Sequence, residues 1–213
     1  RRILLSSAYQ MGGGNAAAEG RDPENRLWSR FPRRRLEAEE IRDALLAVSG
    51  SLDRTMGGSM LHVANREFFF DHTSKDGTKY ATARRSLYLP RVRNHLADVF
   101  QIFDAPDSAT VHGDRASTIV PLQSLYLMNS ETALKAADDL AAKAIRSAPD
   151  DERRLDFVFR RALGRPASSA ERVQTLTWLA KVKAAQPAGD SQRLAWACAA
   201  QVLFAGNEFL YLD

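Results

Sequence analysis

A chain of 213 residues and 23.7 kDa can form one large or two small domains, and 45% hydrophobic with 26% charged residues is typical of a globular protein. No run approaches the ~20 apolar residues of a membrane span, and no secretion signal opens the sequence. The net charge of +4 is spread nearly evenly over residues 1–54, 55–120 and 121–213, whereas nucleic-acid-binding proteins concentrate it. We therefore expect neither a membrane span nor a nucleic-acid partner.

The first thirty residues are dominated by turn signals. The sequence begins within an apolar pattern from Ile3 onward, so we expect a fragment of a longer polypeptide, with the tail of a helix over residues 2–9. The glycines at 12–14 predict a flexible connection. Asp22, an N-cap followed by proline, then predicts a short turn that carries Trp28.

The strongest helix pattern in the chain lies in residues 34–53. Its apolar residues recur in steps of three and four: Ala38, Ile41, Leu45, Val48 and Leu52. With Gly50 as the stop signal, this spacing predicts an α-helix over residues 36–49. Its opposite face carries a row of mixed charge: Arg35, Glu39, Arg42 and Asp43. Helical spacing would bring Glu39 within reach of both arginines, and the chain is organised around this helix.

The pattern changes to extended structure between about residues 60 and 94. A turn signal at 75–78 separates two runs, and the second, 85–92, alternates polar with apolar residues. We predict a small β-hairpin, with Pro90 limiting its second strand to an edge, packed on the organising helix because a lone hairpin is marginal in water.

Helical patterns fill the rest of the chain. A short helix is predicted over 96–103, one with Pro121 in its first turn, and one over 131–147. The apolar face of the middle helix is expected to be Leu122, Leu125 and Met128.

The composition shifts at residues 148–150, the best candidate domain boundary. We predict a helical core with the hairpin over residues 1–148 and a three-helix bundle over 149–213. Asp150 or Asp151 caps the first bundle helix, Gly164 ends it, and a capping box begins the second. The third is expected to bury Leu194, Cys198 and Val202. The predicted fold class is mainly α.

Several of these segments resemble one known family, the planctomycete DUF1553 domain, also called PSD1. The matching motifs are RRLEAExIRDALLAVSGxLD (34–53), RRSLYLPxxRN (84–94), FDxPD (103–107), RxxSTxxPLQxLxLMN (115–129), ALGRP (162–166) and NEFLYLD (207–213), with weaker matches at 6–9 and 25–28. The segment from Tyr9 to Gly13 departs from the Tyr-Arg-Gln-Ser-Ser of many relatives.

The resemblance implies the C-terminal part of a large extracytoplasmic protein whose upstream domains are its partners. Those upstream regions often include a c-type cytochrome-like segment. No CxxCH motif occurs in this chain, so a c-type haem would be held only upstream and the chain is expected to carry no cofactor. The family brings no established reaction and no catalytic residue with it.

A metal site is not predicted. His62, His72, His95 and His112 share the middle of the chain, but none has HxH, HxxH or HExxH spacing. Cys198, the single cysteine, lies in an apolar run and is interpreted as an inert thiol.

Two chemical hypotheses compete with a structural one. Glu39, Asp43, Asp104 and Asp107 could act as acid and base, as in glycoside hydrolysis, but neighbouring arginines lower a carboxyl pKa and favour ion pairs. Arg84, Arg85, Arg91 and Arg93 could instead bind anionic glycans, with Tyr88 stacking on a sugar ring, or could pair internally with the helix.

The favoured interpretation is a non-catalytic structural or interaction module. Its alternatives are part of a hydrolase of complex or sulfated polysaccharide, and a module that docks a c-type cytochrome domain. The residues expected to form a structural ion network or a ligand-binding surface are Arg35, Glu39, Arg42, Asp43, Arg85, Tyr88, Arg91, Arg93, Asn94, Asp104 and Arg115.

Overall fold

The structure is a computed structural model. It describes residues 1–7, 9–10, 16–61, 63–64, 67, 80, 82–91, 96–107, 110–185 and 191–212. Most of the hairpin predicted within residues 60–94 lies outside the described residues, as do His62, His72, His95, Arg93 and Asn94.

The described part of the chain is mainly helical, as the sequence predicts. Its α-helices are α1 (Ala16–Arg21), α2 (Ala38–Ser49), α3 (Asp98–Ile102), α4 (Pro121–Asn129), α5 (Glu131–Ser147), α6 (Asp151–Leu163), α7 (Ser169–Ala185), α8 (Ser191–Phe204) and α9 (Asn207–Leu210). Two short strands, β1 (Arg34–Arg35) and β2 (Tyr211–Leu212), form an antiparallel pair. No helix among these is long and apolar enough to cross a membrane.

The organising helix α2 forms where its pattern predicts, two residues shorter at its start. Ile41 and Leu45 are fully buried, and the helix packs on α5 and α3. Gly50 ends it in the left-handed region, at φ +73°, and donates its backbone N–H to the Ala47 carbonyl over 3.1 Å. Arg161 of α6 donates to the same carbonyl over 2.9 Å, so the end of α2 is tied to the C-terminal helices.

The centre of the core is an antiparallel pair of helices, α5 and α8, packed through alanines. Their buried small residues are Ala133, Ala136, Ala137, Ala141, Ala144, Ala195, Ala199 and Ala200. Small side chains let the two backbones approach closely, and Trp196 fills the remaining space at 0% exposure. Arg193, near the start of α8, binds Asp138 within α5 over 2.6 Å. Gln201, near the end of α8, donates to the carbonyl of Met128, which lies just before α5. The two helices therefore run in opposite directions.

The predicted apolar faces of α4 and α8 are wrong. Leu122, Leu125 and Met128 are 61%, 51% and 50% exposed, while α4 buries Gln123 and Leu127 instead. On α8, Leu194 and Val202 are likewise exposed. On α4, the hydrogen bonds of Gln123 decide which face turns inward. On α8, the close packing of alanines decides it, so the larger aliphatic residues of both helices point outward.

The N-terminal part also differs from the prediction. Residues 2–6 form turns and no helix, and α1 follows the glycines where only a connection was expected. Within the second predicted strand, Ser86–Tyr88 form a 3-10 helix. The backbone N–H of Ser86 donates to the Asp43 carboxylate over 2.8 Å, so a side chain of α2 takes the donor that a strand would have used.

The small sheet joins distant parts of the chain. Arg34 faces Leu212 and Arg35 faces Tyr211, and the Leu36 N–H donates to the Leu210 carbonyl over 2.7 Å. The last described residues therefore fix the position from which α2 begins.

The predicted C-terminal three-helix bundle is confirmed, with α6, α7 and α8 in mutual contact. Its buried residues continue without a break into those of α2 to α5. The division of the chain near residue 148 stays a prediction.

Ion pairs of one arginine link this bundle to α9, and the three residues involved, Arg165, Glu171 and Glu208, are named here the staple. Arg165, after α6, donates both Nη atoms to Glu171 of α7 over 2.8 Å each and also binds Glu208 of α9 over 2.5 and 2.6 Å. The hydrogen bonds from Arg165 lower the pKa of the Glu171 carboxyl to about 2, although burial opposes this.

Replacing Gly50 by alanine should destabilise the fold by ~1–2 kcal/mol, because a left-handed residue gains a Cβ. That Cβ would lie 1.8 Å from Lys143 Nζ, so the lysine must also move. The free energy of unfolding in urea measures the loss. Gly20→Ala, within α1 and with no atom inside 4 Å of its Cβ position, is the control and should be neutral or slightly stabilising; equal effects would contradict the prediction.

The staple should make stability depend on pH below 4.5. The folded-state pKa of Glu171 lies below its ordinary value, so its contribution is complete above pH 4.5 and is lost as pH falls toward 2. With the side chain 34% exposed, we expect this contribution to be only ~1 kcal/mol. Urea unfolding from pH 5 to pH 2 should show a shallower pH dependence in Glu171→Gln.

Arg165→Gln should flatten the pH dependence in the same way. Adding Glu171→Gln to it should change the pH dependence little further, because the Arg165–Glu171 interaction is already absent. An unchanged pH dependence in Glu171→Gln would show that Arg165 does not set the pKa.

Candidate functional site

The charged face of α2 meets three loop segments. These are residues 82–91, 103–107 and 115–118, and each is bound by side chains on α2 or just before it. The contacts form three groups, named here the Arg35, Glu39 and Arg42 clusters.

The Arg35 cluster consists of Arg35, Asp104 and Thr118. The Arg35 side chain is only 6% exposed, and its Nη2 donates to Asp104 Oδ2 over 2.7 Å while Nη1 donates to the Thr118 carbonyl. Thr118 donates its backbone N–H and its hydroxyl to the same carboxylate, over 2.8 and 2.7 Å. Gln123 donates to the Thr118 and Ile102 carbonyls over 3.0 Å each. The cluster thus ties the start of α2 to the loop before α4.

The Asp104 carboxyl is held in its charged form. Burial alone would raise its pKa, but the hydrogen bonds from Arg35 and Thr118 outweigh burial, and the pKa lies below its ordinary value. Its backbone is in the left-handed region, at φ +59°, which aspartate tolerates better than most residues.

The Glu39 cluster consists of Glu39, Arg91 and Arg115. Arg115 binds the carboxylate with both Nη atoms, over 2.8 and 3.0 Å, and Arg91 donates to it from the other loop. Arg115 also pairs with Glu37 over 2.8 Å. The bond from Arg115 lowers the pKa of Glu39, against the effect of burial. One acid therefore holds two loops together.

The Arg42 cluster consists of Arg42, Asp43 and Ser86. Arg42 is 8% exposed and donates to the Thr82 and Arg84 carbonyls over 2.5 and 2.9 Å. Burial lowers its pKa from the ordinary value, opposed by the neighbouring Asp43. Asp43 accepts the Ser86 N–H and hydroxyl over 2.8 and 2.7 Å. This buried guanidinium therefore fixes the backbone of residues 82–86.

Tyr88 is held by arginines on the same loop. The Arg84 guanidinium lies 4.0 Å from the Tyr88 ring centroid and Arg85 lies 5.7 Å from it. The Tyr88 hydroxyl accepts the Gly57 N–H over 3.1 Å, and Arg84 donates to the Thr55 carbonyl over 3.1 Å. The ring expected to stack on a sugar is already in contact with a cation.

The structure brings most of the predicted site residues together but changes their partners. Glu39 was expected to reach Arg35 and Arg42, and it binds Arg91 and Arg115 instead. Sequence reasoning missed the polar residues that complete the clusters: Thr118, Gln123 and Ser86. These residues lie within the 84–94 and 115–129 motifs, and that position was the sequence signal that could have identified them. Whether these clusters also bind a ligand stays a prediction.

Two features lie apart from these clusters. Within the described residues, no group of three His, Cys, Asp or Glu side chains could hold a metal ion, and His112 contacts Thr110 over 2.6 Å. An open groove of about 610 Å³ is lined by Asp150, Asp151, Glu152, Arg153 and Leu176, none of which belongs to the three clusters.

The three clusters are built from residues of the 34–53, 84–94, 103–107 and 115–129 motifs. A comparison with protein families finds a match. The family described as "Protein of unknown function (DUF1553)", PSD1, matches residues 1–179. The chain belongs to the PSD1 family. The matched part of this PSD1 chain contains all three clusters, whereas the motif at 207–213 lies beyond it. Searches of curated proteins and of solved structures each found no match.

Replacing Glu39 by alanine should destabilise this PSD1 chain by ~1–2 kcal/mol, because Arg91 and Arg115 lose their shared partner. The side chains are 23–34% exposed, so the effect is smaller than for a fully buried pair. Chemical denaturation measures it. Asp139→Ala breaks a single ion pair on α5, to Lys135, whose side chain is 70% exposed, and should cost under ~0.5 kcal/mol. A loss for Glu39→Ala no larger than this control would mean a solvated face.

Proposed function

We propose that the chain is a non-catalytic structural module of a larger multidomain protein, in which the charged face of α2 is an internal scaffold. The observation that carries the proposal is the state of the Glu39 and Asp104 carboxyls. Each accepts hydrogen bonds from arginine, and the pKa of each lies below its ordinary value. A general acid needs the opposite shift, because it must hold a proton near neutral pH.

The remaining acid of the face supports the same conclusion. Asp43 accepts two hydrogen bonds from Ser86 and lies 3.4 Å from Arg42 Nη1. The Oδ1 atom of Asp43 is therefore surrounded by hydrogen-bond donors of the protein itself. A carboxylate used in this way positions the loop rather than a reacting molecule.

The contacts also explain why arginine is used. Its planar fork can bind a carboxylate with two parallel bonds and reach backbone carbonyls at the same time. Arg115 does the first with Glu39, and Arg42 does the second with residues 82–84. Lysine could not replace either arginine without losing a fixed direction.

The wider setting is part of the proposal and follows from the family resemblance. We place the module in an extracytoplasmic protein, beside upstream domains of the same polypeptide. A hydrolase of sulfated polysaccharide and a module that docks a cytochrome domain are the competing functions, and both make the charged face a contact surface for something outside the chain.

The proposal is tested at Asp104. Asparagine keeps the shape of the side chain and tolerates the left-handed backbone, but it removes the charge that Arg35 needs. We expect Asp104→Asn to lower the free energy of unfolding by ~2 kcal/mol, because the nearly buried Arg35 loses its counter-charge. Asp114→Asn, an exposed change on the neighbouring loop, is the control and should stay within ~0.5 kcal/mol.

A catalytic carboxylate would behave differently, because active-site residues are commonly held at a cost to stability. The scaffold proposal would be wrong if Asp104→Asn left stability unchanged or raised it, while the unmodified chain turned over a sulfated polysaccharide and the variant did not.

A further inference from the structure

A short loop before β1 presents two large apolar side chains to solvent. In residues 22–31, named here the Leu27–Trp28 loop, Leu27 is 81% exposed and Trp28 is 79% exposed. Phe31, at the end of the loop, is 46% exposed. Adjacent exposed residues of this size are uncommon unless they are used for contact.

Side chains of the loop satisfy part of its own backbone. Asp22, only 8% exposed, accepts the N–H groups of Arg26 and Leu27 over 2.9 and 2.8 Å. Asn25 accepts the Arg30 N–H and donates to the Arg30 carbonyl, over 3.2 and 2.8 Å. The Arg30 guanidinium caps the carbonyls of residues 22 and 23 over 2.8 and 2.6 Å.

Two residues in the loop have left-handed backbone conformations. Asn25 has φ +52° and Trp28 has φ +54°. For tryptophan this conformation is unfavourable and persists only when the surrounding bonds fix it. The Trp28 N–H donates to the Asn25 carbonyl over 3.2 Å, and the loop thereby holds the indole ring away from the core.

The loop lies in a part of the chain with an excess of positive charge. Residues 1–33 contain six arginines and three acidic residues, so they hold three of the four net positive charges of the whole sequence. The remaining 180 residues are close to neutral. A positive segment with an apolar tip complements a negative surface with an apolar interior.

We propose that Leu27 and Trp28 insert into the surface of an anionic lipid bilayer, which would make the module a peripheral membrane protein. The interior of a bilayer offers no hydrogen-bond partners, and the loop already satisfies five of its backbone N–H groups internally, those of residues 25–28 and 30. Leu27 would gain little from stacking on a sugar, and the arginine excess fits acidic headgroups. This surface is separate from the three clusters and does not depend on the scaffold proposal.

Sedimentation with vesicles tests the inference on the 213-residue chain. It should bind vesicles containing about one third phosphatidylglycerol and should bind vesicles of phosphatidylcholine alone much more weakly, since the charges contribute. The Leu27→Ser/Trp28→Gly variant should lose affinity by about thirtyfold or more, because two large apolar groups no longer leave water. Brominated lipid should quench tryptophan emission in the unmodified chain and quench it less in Trp28→Gly.

Two measurements separate loss of contact from loss of folding. Trp28→Gly suits the left-handed backbone, so its thermal unfolding should stay close to that of the unmodified chain while lipid binding falls. The matched control is Val173→Ser/Val202→Ser, which removes side chains 67% and 65% exposed on α7 and α8 and should change binding by less than about twofold.

The proposal is overturned if the chain fails to bind anionic vesicles, or if the loop variant binds them as well as the control does. It is also overturned if the chain binds dextran sulfate but not vesicles, with the same dependence on Trp28. That result would identify an anionic polymer as the partner of the loop.

Discussion

The burial of two guanidinium groups, Arg35 and Arg42, is the constraint on which the rest of the structure depends. Each side chain is more than nine-tenths buried, and a charge in that position needs hydrogen-bond acceptors in fixed directions. The acceptors come mainly from loops, which have little apolar surface of their own. Residues 82–86, Asp104 and residues 115–118 therefore owe their positions to the charges on α2 and just before it more than to hydrophobic packing.

This arrangement divides the work between two kinds of interaction. Alanine packing between α5 and α8 supplies the core against which α2 rests, through Ile41 and Leu45. The ion clusters then attach irregular chain to the opposite face of the same helix. One helix thus connects a dry interior to a network of charges, and Glu39 completes that network by joining the loops at Arg91 and Arg115.

The helices could be predicted from the sequence wherever local signals agree. Asp150 caps α6 and Gly164 ends it, and both are local chemistry that needs no knowledge of neighbours. The inward face of α4 could not be predicted, because Gln123 is buried by hydrogen bonds to the Thr118 and Ile102 carbonyls. An aliphatic pattern carries no information about such tertiary bonds, so Leu122 was placed inside.

The site shows the same limit. The charged residues of α2 could be recognised from spacing, but their partners could not, because Glu39 reaches across 52 and 76 residues to Arg91 and Arg115. The basic segment around Trp28 was missed for a different reason. Counting charge over residues 1–54 combined it with residues 34–54, which carry four basic and five acidic groups. The excess of three positive charges then fell to two and did not stand out.

The pairing of β1 with β2 has a consequence for biosynthesis. Arg34 and Leu212 are neighbours in the folded chain, so this closing contact joins residues that are far apart in the sequence. On the ribosome, α2 can form early, but its starting position stays unsecured until the final described residues have left the exit tunnel. The nascent chain must therefore protect an incomplete interior while the residues between β1 and β2 are synthesised, so this unit acquires its final packing late rather than in steps.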